Sequence, residues 1–252
     1  MSSVHKISAV VITFNEEKNI ERCLKSLLAV VDEIILVDSG STDQTQKLAQ
    51  QLGAIVMQQN WLGYSAQKNK GNEWASHDWI LSLDADECLS DALIKELIAL
   101  KLNPQTAILN RLTNYCGTWI KHGSWFPDRK IRFFNRLNAR WEGDIHEKVI
   151  FHEITKPIEL RGLLLHYSYH NESEHWAQLE KFTALTAADA VAKGKKSAVL
   201  KQYLSPMWRF FRDYVVKLGF LDGSAGFKIA RISAYGVFLK HQKIILATTK
   251  VS

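Results

Sequence analysis

The sequence has little cysteine. Cys23, Cys88 and Cys116 are three in 252 residues, an odd number with no C-x-x-C spacing and no partner histidine at zinc-finger distance. That excludes a disulfide framework and a zinc finger, and it fits a reducing compartment. Nor does a long apolar run open the chain: Met1 to Ala9 mixes His, Lys and Ser among its apolar residues. Neither a signal peptide nor a starting membrane anchor is expected, and the protein is expected in the cytoplasm. The longest later apolar stretch, Phe227 to Ala247, is interrupted by Lys228, Arg231, Lys240 and Lys243, which argues against a transmembrane helix. Internal repeats and low-complexity tracts are absent too. What is present, 46% hydrophobic against 23% charged residues, excludes a disordered chain and can bury one sizeable core.

The net charge of +6 is unevenly spread. Between Lys193 and Lys243 there are 11 Lys/Arg against two acids, Asp213 and Asp222, a local balance of +9 that leaves −3 elsewhere. An acidic front and a basic back suggest two jobs, chemistry on a metal or nucleotide and attachment to an anionic surface. A solvated basic face that keeps the protein soluble is the plainer alternative. Nucleic acid is not an expected partner.

The first hundred residues alternate strand and helix. Ile7 to Thr13 is a β-branched apolar run suited to a strand buried on both faces. Asn15 is a plausible N-cap for the helix that follows, with Glu16 and Glu17 in its first turn and Ile20, Leu24, Leu27, Leu28 and Val31 at helical spacing. Glu33 to Val37 reads as the next strand, ending at Asp38. Ser41 with Gln44 forms a capping-box pattern for a second helix, which Gly53 closes before strand Ala54 to Met57. A helical stretch around Ser65 to Ala75 precedes strand Trp79 to Leu83, and Ser90 caps a helix bearing Leu93, Ile94, Leu97 and Leu100. Such alternation indicates a mostly parallel, doubly wound sheet, whose ligands bind at the carboxyl ends of the strands. Ala107 to His166 switches to short apolar runs, the more antiparallel part of a mixed sheet.

Three strand ends carry polar groups: Thr13 with Asn15 and Glu16, then Asp38, then Asp84 and Asp86. In LSLDADE the carboxylates at i and i+2 point the same way if strand geometry persists, so both can reach one divalent cation. A cation there bridges a diphosphate and stabilises its charge as it leaves. Acids after strands also serve as turn formers and caps. Asp38 lies in a Ser/Gly-rich turn where a carboxylate can accept from a uracil imide or ribose hydroxyls. Lys68 can meet phosphate as a point charge, or it is an ordinary solvent-facing lysine.

The segments VVITFNEEKNIERCLKSL, EIILVDSGSTDQT and LSLDADE, in this order, resemble the nucleotide-sugar-binding segments of family 2 inverting glycosyltransferases, which have the GT-A fold. The resemblance implies an α/β protein with a mixed, mostly parallel sheet flanked by helices. Thr13, Phe14 and Glu16 would line the base pocket and Asp38 bind the nucleoside. Lys68 would meet the phosphates, and Asp84, Ala85 and Asp86 the ribose, diphosphate and a metal, Mg²⁺ or Mn²⁺. The proline common at the end of the first strand in that family is absent, since Thr13 follows Ile12. Downstream, YCGTWIKHGSWFPDRKIRFFN, WEGDIHEKV and LLLHYSYH resemble a bacterial subgroup that adds a hexose, often glucose, to heptose in the inner core of lipopolysaccharide or lipooligosaccharide. The implied partners are UDP-glucose, a lipid-linked core oligosaccharide and an anionic membrane surface, met peripherally on the cytoplasmic face of the inner membrane.

An inverting transfer needs a carboxylate that takes the proton of the acceptor hydroxyl as it attacks. Glu147 is the first choice and Asp144 the second. The alternative for Glu147 is an ion pair with Lys148 or Arg140, and for His146 a hydrogen-bonded core position. His166 is an additional candidate metal ligand or a satisfied strand-end histidine. Trp119, Trp125, Phe126 and Trp141 offer faces for sugar rings or for core packing, and Asp128, Arg129 and Arg132 suit a phosphorylated sugar acceptor.

The expected organisation is a GT-A catalytic domain over 1–192, with 1–105 for the nucleotide sugar and 106–170 for the acceptor, and a basic, amphipathic helical segment over 193–252. In that segment Met207, Phe211, Tyr214, Leu218 and Leu221, flanked by Arg209, Arg212 and Lys217, read as one helix able to lie in the headgroup layer. The rival enzyme, a haloacid-dehalogenase-like phosphatase, places its D-x-D close to the first strand and follows it with a small hydroxyl residue; here Glu87 and Cys88 follow. A nucleotidyltransferase would want a Gly-rich loop where FNEEKN stands. A non-catalytic nucleotide-sugar or membrane-binding adaptor is the alternative of a different class.

Overall fold

The computed structural model describes residues 5–143 and 147–249. The chain divides into two compact units, Met1–Arg111 with Asp128–Tyr167, and Leu112–Pro127 with Ser168–Ser252.

The first unit opens with β1 (Ile7–Thr13), buried at every position as its apolar run predicts. Successive side chains of a strand point to opposite faces. Accordingly Ile7, Ala9 and Val11 join one apolar cluster, and Val10 and Ile12 another. There follow α1 (Ile20–Leu27), β2 (Glu33–Asp38), α2 (Thr45–Gln51), β3 (Ile55–Gln58), α3 (Tyr64–Trp74), β4 (Trp79–Asp84), β5 (Glu87–Leu89) and α4 (Asp91–Leu100). Then come β6 (Ala107–Tyr115), β7 (Thr118–Ile120), β8 (Asp128–Asn135), β9 (Ala139–Glu142), β10 (Lys148–Phe151) and β11 (Ile158–Tyr169). Strand β7 and the last residues of β6 and β11 belong to the second unit.

The strand order is β3-β2-β1-β4-β8-β6-β11-β5. Strands β3, β2, β1 and β4 are parallel. From β4 onward β8 and β6 alternate in direction, and β5 runs antiparallel to β11. The expected mixed sheet flanked by helices is present. Helices α1 and α4 bury Ile20, Leu24, Leu27, Leu93 and Leu97 in one cluster, each such side chain worth roughly 1.5–3 kcal/mol. On the other face α3 lies close to the sheet: a Cβ at Gly71 would fall 2.3 Å from Val10 Cγ1 and 2.8 Å from Val37 Cγ2. Only glycine permits that approach, and it brings Lys68, one turn earlier, to the carboxyl end of the strands.

Two expected caps are corrected. Helix α1 begins at Ile20, not after Asn15, which adopts φ 55°. Asn15 Oδ1 accepts from Thr42 N at 2.8 Å, while the amides of Asn15, Glu16 and Glu17 donate to Ser41 Oγ, Thr45 Oγ1 and Asp43 Oδ2. The polar residues after β1 thus lace that loop to the loop after β2. The Ser41–Gln44 capping box does not form either, because α2 starts at Thr45 and the Ser41 hydroxyl donates to Asp38. Ser90 does cap α4, accepting from Leu93 N.

In the second unit Asn171 caps α5 (Glu172–Ala192), accepting from Glu174 N at 3.0 Å. Next come α6 (Val199–Phe211), a π-helical turn at Arg212–Val216, a 3₁₀ turn at Gly219–Asp222 and α7 (Gly223–Thr249). The single amphipathic helix expected through Leu221 is therefore broken. Buried Asp213 draws in Arg209, Arg212 and Ser124, and Leu218 turns left-handed at φ 58°. No helix among the described residues is long and apolar enough to cross a membrane.

Candidate active site

Register alone gathers the polar strand ends. Thr13 pairs with Asp38 on one side of β1, and Ile12 pairs with Asp84 on the other. The chain moves from β1 outward through β2 and β3, then returns to β4 on the opposite side. This is a topological switch point, where open α/β sheets leave a crevice for ligands. Thr13 Oγ1 is buried there without a hydrogen-bond partner among the described residues, a cost that a ligand group would remove. Phe14 beyond it is 56% exposed. Burial pushes the Glu16 carboxyl up to about 7 against the hydrogen bond from Asn19, and nearby Asp86 adds to the rise.

Asp38, fully buried, shapes its own turn. Its Oδ1 accepts from Gly40 N, Ser41 N and Gln46 Nε2 at 2.8–3.0 Å. Gly40 makes the turn possible at φ 90°.

Strand geometry ends at Asp84, and Ala85 and Asp86 form a turn before β5. The two acids therefore meet different partners. Asp84 Oδ1 lies 3.0 Å from Lys68 Nζ and Oδ2 lies 2.8 Å from Arg132 Nη2. Burial opposes its charge, but Arg132 and then Lys68 outweigh it and hold the carboxyl far below the usual range. Asp86 Oδ2 instead stands 3.0 Å from His166 Nε2, and its backbone oxygen accepts from Tyr167 N.

The Asp86–His166 pair fits a divalent cation. Adjacent ligands of an octahedral ion bound at about 2.1 Å are about 3.0 Å apart, and these two donor atoms stand at 3.0 Å. No group of three or more His, Cys, Asp or Glu side chains suited to a metal occurs among the described residues.

Lys68 is not the solvent-facing lysine weighed from sequence. It has no exposure, and its ammonium also lies 3.1 Å from Glu147 Oε1 and 4.6 Å from the centre of the Trp141 ring. Glu147 thus pairs with Lys68 rather than with Lys148 or Arg140; Arg140 bonds Glu142. Asp144 and His146 lie outside the described residues. Trp141 is buried and packs edge-on against Phe134, so it is a core residue rather than a sugar platform. Trp125 packs with Tyr115 and Tyr169 in the second unit.

Glu87, Arg111 and Arg132 form a network that sequence reasoning missed. Glu87 Oε2 accepts from Asp84 N at 3.0 Å, and Oε1 accepts from Arg132 and Arg111 at 2.8 and 3.0 Å. Arg111 continues to Asp128 at 2.7 Å. Arg132 is buried, so it and Asp128 serve the D-x-D strand end rather than a phosphorylated acceptor, and Arg129 pairs outside with Glu159. The signal was available in the period of two, which puts Asp128, Lys130 and Arg132 on one face of β8.

The chain is similar to known proteins over most of its length. The family model for glycosyl transferase family 2 matches residues 8–153. An "uncharacterized glycosyltransferase" of Rickettsia felis is 32% identical over 96% of this chain and 90% of its own length. The lipopolysaccharide core biosynthesis glycosyltransferase LpsC of Rhizobium meliloti is 31% identical over 94% of this chain and 91% of its own. Among solved structures, glucosyl-3-phosphoglycerate synthase of Mycobacterium tuberculosis with Mn²⁺ and UDP matches 44% of each chain at 26% identity and a TM-score of 0.35. On the family model and the full-length relatives together, this chain is a member of glycosyltransferase family 2.

Proposed function

We propose that the protein transfers a hexose, glucose from UDP-glucose, with inversion onto a heptose of the lipopolysaccharide or lipooligosaccharide inner core. The observation that carries this reading is the meeting of Lys68 with both Asp84 and Glu147 at the switch point of the sheet. A buried ammonium there links the acid of the donor half to an acid of the acceptor half. The name of the Rhizobium relative, a core biosynthesis enzyme, supports the acceptor class.

In this reading Thr13, Phe14 and Glu16 receive the base, and Asp38 holds the turn against which the nucleoside lies. Asp84 and Ala85 line the ribose and diphosphate path. Lys68 stabilises the charge that develops on the departing diphosphate, a role suited to a fixed cation out of water. Glu147 accepts the proton of the acceptor hydroxyl as its oxygen attacks the anomeric carbon opposite the leaving group. Asp86 and His166, with Asp84 adjoining, would hold Mg²⁺ or Mn²⁺, which supplies further neutralisation of the diphosphate when bound. The acceptor is lipid-linked, and the protein works peripherally on the anionic, cytoplasmic surface of the inner membrane.

Incubation of the protein with a panel of nucleotide sugars and a truncated core oligosaccharide, read by mass spectrometry, tests the reading. One added hexose from UDP-glucose is expected; the absence of any sugar transfer to the heptose-bearing acceptor would reject it.

A further inference from the structure

Helix α6 is turned inside out. Gln202 is buried and Ser205 and Arg209 are half-buried, whereas Leu200, Tyr203, Leu204, Met207, Trp208 and Phe211 are exposed. Their spacing of three and four residues puts these six on one face. Leu200 and Met207 are 68% and 69% exposed, and the apolar surface continues past the helix through Val216, Leu218, Phe220 and Leu221. So much exposed apolar surface in one stretch of chain marks an interaction surface.

Charge identifies the occupant. From Lys193 to Thr249 the acids are Asp213 and Asp222 alone. Asp213 is buried among Arg209, Arg212 and Ser124, and Asp222 accepts from the amides of Lys121 and His122. Lys195, Lys196, Lys201 and Lys217 are exposed beside the apolar face. A symmetric contact with a second copy would press these uncompensated cations together, whereas a bilayer offers an apolar interior beneath anionic headgroups. The buried Asp213 cluster draws Arg209 and Arg212 toward it, and beyond it Val216, Leu218, Phe220 and Leu221 are exposed.

We infer that the exposed face of α6 and the turn through Leu221 insert into the headgroup layer of an anionic bilayer, with α6 lying in the membrane plane. A lipid-linked acceptor, the reading on which the purpose of this surface rests, would then be met where it is embedded.

The test is flotation of the full chain with vesicles of phosphatidylcholine containing phosphatidylglycerol, and with phosphatidylcholine alone. Wild type should float with the anionic vesicles, and more weakly as salt rises. The double variant Leu200→Asp/Met207→Asp should lose at least about tenfold in vesicle affinity with unchanged circular dichroism, because each position withdraws a large apolar side chain from the lipid. Lys195→Gln/Lys196→Gln/Lys217→Gln should weaken binding and flatten its salt dependence. Equal flotation of wild type and the Asp variant, or no flotation of wild type, would overturn the inference. A wild-type dimer that the Asp variant converts to monomer in sedimentation would also overturn it, by giving the face to a second copy. Wild-type turnover on a water-soluble core acceptor, measured alongside, fails only if the transfer reading fails, so the two outcomes separate.

Discussion

The Nζ of Lys68, on a side chain with no solvent exposure, stands 3.1 Å from Glu147 Oε1, joining residues 79 positions apart in the chain. The same ammonium is 3.0 Å from Asp84. One buried cation therefore meets two carboxylates, and removing it leaves Glu147 without this partner and Asp84 with Arg132 alone.

Lys68→Met should lower unfolding stability by roughly 1–3 kcal/mol, since Arg132 still compensates Asp84. If the proposed transfer holds, it should cost far more in turnover, at least about a hundredfold, because a departing diphosphate would lose its fixed cation. Urea denaturation and steady-state rates separate the two effects. A variant with normal turnover would remove Lys68 from the chemistry.

Glu147→Gln keeps the shape of the side chain and removes its basicity. UDP affinity by calorimetry should stay within a few-fold of wild type, while the transfer rate falls by about 10²–10⁴. Undiminished transfer would move the base to Asp144.

Asp86→Asn and His166→Gln each weaken one donor of the 3.0 Å pair. The Mn²⁺ concentration that supports half-maximal binding of UDP should rise by at least about tenfold in either variant. Identical cation titrations would exclude the pair as ligands.

His175 gives a pH signature in the second unit. Burial lowers its pKa to about 4, against the small opposing pull of Glu172. It packs against Tyr115, whose hydroxyl is 3.3 Å from Nδ1, and stacks on Tyr169. The unfolded chain binds the proton near 6.5, so between that value and 4 the unfolded state holds more protons than the folded one. This group's contribution is complete above about pH 6.5 and is lost as pH falls toward 4, up to roughly 3 kcal/mol. Melting at stepped pH should show the decline, and His175→Gln should flatten it.

The strands and their polar ends were legible because β-branched apolar runs and a period of two survive in any context, as Ile7 to Thr13 shows. Asp38, Asp84 and Thr13 stood out as polar strand ends, and the parallel register brings those ends side by side. The Ser90 cap was legible, but the caps expected at Asn15 and Ser41 were not. Asn15 and Ser41 are good capping residues, yet the loops after β1 and β2 bond to one another, and that long-range pairing overrides a local preference. The resemblance singled out Lys68, but its burial was not legible, because its partners lie in β4 and beyond β9 and only the folded sheet brings those carboxylates near. In the tail, the periodicity of Met207 to Leu221 was read as one helix because nothing local announces that Asp213 will be buried by Ser124 from far upstream.

The central claim, inverting transfer at the switch point of this sheet, is tested most directly by the anomeric configuration of the product. With UDP-α-glucose and a truncated heptose-bearing acceptor, proton NMR should show a β-linked glucose; an α-linked product would contradict the account.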